Sequence, residues 1–207
     1  MKILYGTTNS AKLGLMRRVA SDLGFEIMGL LELNKPLPVI DESGKDPLEN
    51  AEIKARAYYE AFGMPVFSCD SGLYFDGIDD DLQPKTHVRR VNGKELSDEQ
   101  MTKYYAELAH RHGGRLIARY RNAIYFIVDE NTCFKRMDDS LASEPFILCD
   151  TPHRRKHVEG FPLDPLSVDI ATGKYYYDCD TAPDKLAVAQ GLYAFFEETL
   201  AKISPRR

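Results

Sequence analysis

Short apolar runs alternate with segments of helical spacing along the whole chain, and that interleaving leaves few folds open. "KILYG" reads as a buried first strand and "TTNSAK" as a polar turn. From Ala11 to Leu23 the apolar residues Leu13, Met16, Val19, Ala20 and Leu23 recur at helical spacing, with Gly24 as the stop. "FEIMGL" reads as a second strand, and Pro36 to Lys45 as loop. Asp46-Pro47-Leu48-Glu49 then opens a helix. Asp46 suits the N-cap, Pro47 the first helical position, and Glu49 the place where a capping box puts its acid. Leu48, Ala51, Ala55, Tyr59 and Phe62 form one apolar face, and Gly63 ends it.

The second half repeats the alternation. "PVFSC" and "LYFDG" read as strands around a polar interruption, and Asp79-Asp80-Asp81 as a solvated turn. Ser97-Asp98-Glu99-Gln100 caps a helix that turns Met101, Tyr104, Tyr105 and Leu108 inward and closes at Gly113-Gly114. "RLIARYRNAIYFIVD" fits one long strand or a bent hairpin, "EPFILCD" a further strand, "TPHRRKHVEGFPLDP" a basic loop, and "KYYYD" a short strand. Asp184 reads as the cap of a last helix with Leu186, Ala189, Leu192, Phe196 and Leu200 inward. Interleaved strands and helices predict an α/β or α+β protein.

At 207 residues the expectation is a single domain over 1–207, built as two lobes that share a core. The net charge of −5 gives no global attraction to nucleic acid or to an acidic membrane, so phosphate recognition has to come from a local cluster. No apolar run approaches the roughly 20 residues that span a bilayer. "MKILYGTTNS" is too short and too soon polar for a signal peptide, which predicts a cytoplasmic protein. The four cysteines, Cys69, Cys133, Cys149 and Cys179, form no C-x-x-C pair, so reduced thiols are expected and zinc is not.

Four motifs bear on chemistry, and each has a plain structural reading beside it. Thr7-Thr8-Asn9-Ser10-Ala11-Lys12 lies between a strand and a helix N-terminus, where free amides and the helix dipole suit a phosphate. Taken alone, the motif is explained better by Asn9 or Ser10 simply capping the helix. Asn50 and Lys54 share a helix face with Glu49 beside them, within reach of a metal; alternatively Glu49 is a capping acid and Lys54 a solvated charge. Asp70-Ser71-Gly72 puts a carboxylate at a strand end, able to hold Mg²⁺ or take a proton from water. A hairpin turn would use the same residues. Arg89-Arg90 and His153-Arg154-Arg155-Lys156-His157 offer guanidiniums to phosphate, or simply a solvent-facing charge run.

The order of these motifs carries more than any one of them. A strand, "TTNSAK", "ENAEIKA", "DSGL" after an apolar strand, an arginine pair and then "GFPLDP" resembles the inosine triphosphate pyrophosphatase family, whose members remove aberrant purine nucleotides such as ITP, dITP and XTP. The resemblance runs through most of the chain: it is specific over residues 3 to 75, fair at 160 to 165 and poor elsewhere. It implies an elongated mixed central sheet with two α/β lobes and a cleft between them, a cytoplasmic homodimer, and Mg²⁺-dependent hydrolysis of a nucleoside triphosphate to monophosphate and pyrophosphate. By the same resemblance Thr8, Asn9 and Lys12 hold the phosphate chain, Glu49 and Asp70 bind Mg²⁺, and Lys54 contacts phosphate. Asp70 is the catalytic carboxylate and Ser71 touches substrate. Arg90 matches the arginine of a P-G-x-x-S-A-R motif, Phe161 stacks on the base, Asp164 lies beside it, and Lys174 follows a late glycine.

This chain departs from the family pattern in four places. Cys69 replaces the first aspartate of a D-D-S-G-L motif, Lys85-Thr86-His87-Val88-Arg89 replaces most of P-G-x-x-S-A-R, and Pro162-Leu163 replaces Gly-Tyr in F-G-Y-D. The S-H-R that reads the purine oxygen has no counterpart in "TAPDKLAVAQG". The phosphate end is therefore better preserved than the base end. Lys174, Lys185, His87 and the Arg154-Arg155 pair are the candidates for a redirected base preference. Two other readings stay open: a nucleotide-binding module with little turnover, and a phosphohydrolase of another phosphorylated small molecule.

Overall fold

The computed structural model describes residues 1–91, 93–154, 158–179 and 183–203, and no side chain from 183 to 186. It is a mixed α/β protein of two compact units. The first comprises Met1–Ser71, Asn122–Leu141 and the chain from Val188 on; the second comprises Gly72–Arg121 and Ala142–Ala187.

In the first unit β1 (Lys2–Tyr5) lies parallel to β2 (Glu26–Gly29), with Ile3 opposite Ile27, and parallel to β3 (Val66–Phe75), with Tyr5 opposite Phe67. Helix α1 (Ser10–Val19) joins β1 to β2, and α2 (Pro47–Phe62) precedes β3. The extended chain β6 (Arg115–Asp129) runs antiparallel to β7 (Thr132–Arg136), Phe126 facing Phe134. One face of this sheet packs on α2 through Leu4, Val66, Ala51, Ala55 and Tyr58. The other carries Ile3, Phe67 and Phe126 against α1 and α4 (Pro183–Ile203). Phe196 of α4 sits edge-on to Phe67 at 5.0 Å and to Phe126 at 5.9 Å, within the range for favourable aromatic pairs.

The second unit takes the C-terminal end of β3 and the N-terminal half of β6. To these it adds the short hairpin of β4 (Arg90–Val91) and β5 (Lys94–Glu95), α3 (Asp98–Arg111), β8 (Phe146–Cys149) and β9 (Ser167–Asp169). β8 runs antiparallel to both β6 and β9. Its core gathers Leu73, Phe75, Met101, Tyr105, Leu108, Phe146 and Leu166. Ser97 and Gln100 form the expected capping box on α3. Among the described residues no helix is long and apolar enough to cross a membrane.

Several expectations are corrected. "PVFSC" and "LYFDG" are one strand, β3, which runs straight through Asp70-Ser71-Gly72. The polar interruption is not a turn. "KYYYD" forms a 3₁₀ turn at Tyr176–Asp178, and only Tyr175 bridges to Val168. By contrast, "RLIARYRNAIYFIVD" is the one long strand of its two readings, and the solvated turn expected at Asp79-Asp80-Asp81 is present as an exposed 3₁₀ turn at Asp80–Leu82. α4 begins at Pro183, so Asp184 lies inside its first turn, and its side chain is outside the described residues. Glu49 does not close a capping box: its Oε2 accepts the Lys45 amide at 2.8 Å instead.

Gly72 shows why turn-like residues occur in mid-strand. A Cβ there would lie 2.9 Å from the Tyr74 ring and 3.2 Å from the Lys85 carbonyl. That carbonyl accepts the Leu73 amide at 2.9 Å, and the Lys85 amide donates to the Leu73 carbonyl at 3.0 Å. Lys85 makes this bridge with φ of +50°, the region that favours glycine, where the family pattern has its Pro-Gly. A left-handed non-glycine residue costs roughly 1–2 kcal/mol, against roughly 0.5–1 kcal/mol for the extra freedom of an unfolded glycine. The Lys85–Asp80 ion pair is solvent-exposed and adds little. Lys85→Gly is therefore expected to stabilise the protein by about 0.5 kcal/mol, read as a rise in Tm; a fall would show that the exposed pair outweighs the backbone.

Candidate active site

Side chains alternate along β3, so Ser68 and Asp70 face α2 while Phe67 and Cys69 face α1. Asp46 caps α2 by accepting the Leu48 and Glu49 amides at 2.8 and 2.9 Å, which fixes where the helix starts. Asn50 and Lys54, one turn apart, then meet Asp70. The Lys54 ammonium donates to Asp70 Oδ1 at 2.8 Å and to Glu42 Oε2 at 2.9 Å. Asn50 donates from Nδ2 to Asp70 Oδ2 at 3.2 Å, and its Oδ1 accepts the Gly44 amide at 2.8 Å. A Cβ on residue 44 would stand 2.6 Å from Asn50 Oδ1, so the loop carrying Glu42 closes on α2 only because Gly44 has no side chain.

Charge is concentrated here. Burial opposes the positive charge of Lys54, but the Asp70 and Glu42 carboxylates outweigh it and hold its pKa above the ordinary lysine value. Lys12, on the first turn of α1, has the reverse balance. Burial and then repulsion from Lys54 lower its pKa, with Asp70 pulling the other way. An anion placed between the two ammoniums would relieve that repulsion. Cys69 stands on the opposite face of β3. Burial pushes its thiol up to about 12, against an opposing hydrogen bond with Tyr5. The replacement of aspartate by this cysteine therefore removes a negative charge outright at neutral pH.

Of the residues expected to act on the phosphate chain, Lys12, Lys54 and Asp70 are brought together. Asn9 is the N-cap of α1: its Oδ1 accepts the Ala11 and Lys12 amides at 2.9 and 3.1 Å, and those amides are not left for a ligand. Thr8 is exposed at the same turn, and Ser71 is half-buried beside Asp70. Glu49 is exposed. Glu42 was missed because it lies in a stretch with no periodicity, and Asn50 was noted without its role. The sequence signal for Glu42 is the glycine two residues after it, and for Asn50 its spacing of four from Lys54.

Among the described residues no three His, Cys, Asp or Glu side chains converge as a metal site. The carboxylates that do approach each other are Asp70 and Glu42, bridged by one ammonium, and these are the oxygens that could hold a metal. Oxygen donors in that number suit magnesium, which keeps waters and phosphate oxygens for its other positions.

The remaining substrate candidates lie in the second unit. Arg90 is exposed on β4, Phe161 is half-buried, Asp164 is buried at the start of a 3₁₀ turn, and Lys174 is exposed after β9. The Tyr177 hydroxyl accepts the Val158 amide at 3.2 Å, and burial followed by the Asp164 charge pushes its pKa up to about 12. His153 pairs with Asp178 at 3.3 Å and stands edge-on to Tyr175 and Tyr177, so it is held by its own unit. His87 and Arg154 are exposed. Arg155, Lys156, His157 and the Lys185 side chain lie outside the described residues.

The Ham1 family model matches residues 3–144. A dITP/XTP pyrophosphatase from Haemophilus influenzae is 34% identical over 127 residues, 61% of this chain and 63% of that one. One from Exiguobacterium sibiricum is 29% identical over 167 residues, covering 80% and 79%. This chain thus spans a little under two thirds of the first relative's length. A HAM1 protein from Coxiella burnetii superposes with a TM-score of 0.70 at 22% identity over 98% of each chain. A Ham1 protein from Staphylococcus aureus gives 0.70 at 20% identity, covering 96% of this chain and 99% of that one. At these identities the two structures establish the fold.

Proposed function

We propose that this chain, which belongs to the Ham1 family, hydrolyses nucleoside triphosphates to the monophosphate and pyrophosphate. The observation that carries the reading is the Lys54 ammonium held between Asp70 and Glu42, with Lys12 close enough to be repelled by it. A binder of phosphate needs the lysines; it does not need a carboxylate at hydrogen-bond distance from one of them. The triphosphate would lie against Lys12 and Lys54. Its oxygens compete with Asp70 for the Lys54 ammonium, which releases Asp70 Oδ1 to accept a proton. Asn50, still donating to Oδ2, keeps the carboxylate oriented. A water whose proton passes to Asp70 attacks the α-phosphorus, the bond to the bridging oxygen breaks, and pyrophosphate leaves with that oxygen. The lysines offset charge on the phosphate oxygens.

Magnesium would be held by Asp70 and a second carboxylate, and when bound would offset negative charge on the triphosphate. Glu42 and Glu49 compete for that second place. Geometry favours Glu42, because it shares the Lys54 ammonium with Asp70, whereas Glu49 is exposed and holds the Lys45 amide. Glu42→Gln is expected to abolish the rise in Tm that Mg²⁺ and pyrophosphate produce together. Glu49→Gln should keep that rise while lowering the Tm of the unliganded protein, by the roughly 1 kcal/mol of a lost helix-terminus contact. The reverse pattern would assign the metal to Glu49.

Base preference is expected to be relaxed. No S-H-R precedes α4, and stacking on Phe161 discriminates little because every base has a π face. Measuring kcat/KM for ITP against GTP and ATP tests this. A preference above roughly 10²-fold would show that other polar groups have taken over recognition.

A further inference from the structure

Phe161 is the proposed stacking residue, and both of its chain neighbours are pinned to one helix. The Gly160 amide donates to Asp98 Oδ2 at 2.8 Å, and the Thr102 hydroxyl donates to the Pro162 carbonyl at 2.7 Å. Asp98 and Thr102 are four residues apart on α3, one turn and one face. The other oxygen of Asp98 binds Arg89 Nη2 at 2.6 Å, and Arg89 Nη1 donates to the Leu96 carbonyl at 2.9 Å. Arg89 directly precedes Arg90, the arginine expected to meet substrate. One carboxylate is therefore shared between the segment that carries Arg90 and the segment that carries Phe161.

The surroundings say why such a clamp matters. Phe161 is held on a tight turn, its amide donating to Val158 at 3.1 Å and its carbonyl accepting from Asp164 at 3.3 Å. Gly160 has φ of +84°, a conformation that leaves its neighbour's direction dependent on what fixes the amide. The Asp98 side chain is only 20% exposed, so its two bonds are made where water competes weakly. We propose that Asp98, assisted by Thr102, is a positioning residue for base recognition. It sets the plane of Phe161 and couples it to the Arg89-Arg90 segment, without touching the phosphate chemistry. This rests on the pyrophosphatase reading, and specifically on Phe161 stacking on the base.

The test separates the base end from the phosphate end. KM and kcat for pyrophosphate release from ITP are measured for the wild type, Asp98→Ala, Asp98→Asn and Thr102→Val. The inhibition constant of inorganic tripolyphosphate, which has no base, is measured alongside. Asp98→Ala should raise KM roughly tenfold, as expected for one lost charge-assisted hydrogen bond, with kcat within about twofold. The tripolyphosphate constant should not move. Asp98→Asn keeps an acceptor for the Gly160 amide and should recover part of the KM. Thr102→Val, close in shape to the native residue, should shift KM in the same direction by a smaller factor. An unchanged KM in both Asp98→Ala and Thr102→Val overturns the proposal. So does a parallel loss of tripolyphosphate affinity, which would mean general damage. A wild type that releases no pyrophosphate from any nucleotide overturns the pyrophosphatase reading itself and is visible before any variant is made.

Discussion

Asp70→Asn is expected to lower nucleotide hydrolysis by about 10²-fold or more while leaving the protein folded. The substitution keeps the size of the side chain and removes its ability to take a proton from water. Its structural cost comes from one contact. Asn50 cannot turn its amide over, because Oδ1 is committed to the Gly44 amide. A new amide at position 70 that keeps its oxygen on Lys54 therefore points its NH₂ at the Asn50 NH₂. One donor is left unmatched, at a cost of about 1–3 kcal/mol. The expected result is a cooperative melt at somewhat lower temperature with turnover near background. Wild-type kinetics from the purified variant would remove Asp70 from the chemistry.

Lys54→Met is expected to cost both activity and stability. The side chains of Lys54 and Asp70 are 12% and 14% exposed, and losing the cation leaves Asp70 facing Glu42 with no charge between them. Breaking a buried pair costs about 3–5 kcal/mol; Glu42 is 43% exposed and solvent screens its share. The catalytic loss should reach about 10²–10³ in kcat/KM, the size seen when one preorganised charge-stabilising donor is removed. The pH dependence has a definite sign. The folded pKa of Lys54 lies above its ordinary value, so its contribution to stability is fully present below the ordinary lysine pKa. It is lost only as pH rises through the raised folded value. Wild type and variant should therefore differ by a constant amount in stability through neutral pH and converge only in strong alkali. Denaturant unfolding at neutral and high pH measures it. A difference that vanished near neutrality would show that the Lys54–Asp70 contact does not stabilise the fold.

Local chemistry made α2 legible: Asp46 caps, Pro47 starts and Gly63 stops the helix, with Gly63 at φ of +62°. It also singled out Lys54, sharing a helix face with Asn50, and Asp70, in a polar break of the next apolar run, while their roles came only from the family resemblance. The Asp-Ser-Gly stretch misled for a physical reason. Those residues are turn formers by local preference, and what keeps them extended is the bridge from Leu73 to Lys85, a tertiary contact with no local signature. The expected face of α2 holds, with Ala51 and Ala55 buried and Leu48, Tyr59 and Phe62 packed against the same core, and Asn50 and Tyr58 are buried beside it. Glu42 left no trace because loops carry no period, and its role is fixed by Lys54, 12 residues later. The small strands β4, β5, β7 and β9 run two to five residues, too short for alternation to mark them. The proposed base end was the least legible, since its candidates are loop residues held by long-range bonds such as Gly160 to Asp98.

The most direct test of the central claim is the identity of the products. Purified protein is incubated with ITP and Mg²⁺, and the phosphorus species are followed by ³¹P NMR. Cleavage between the α- and β-phosphates predicts inosine monophosphate and pyrophosphate appearing in equal amounts, with no orthophosphate as a primary product. Orthophosphate and inosine diphosphate appearing first would contradict the account. They would place the attacking water at the γ-phosphorus, and the Lys12, Lys54 and Asp70 cluster would belong to a different phosphohydrolase.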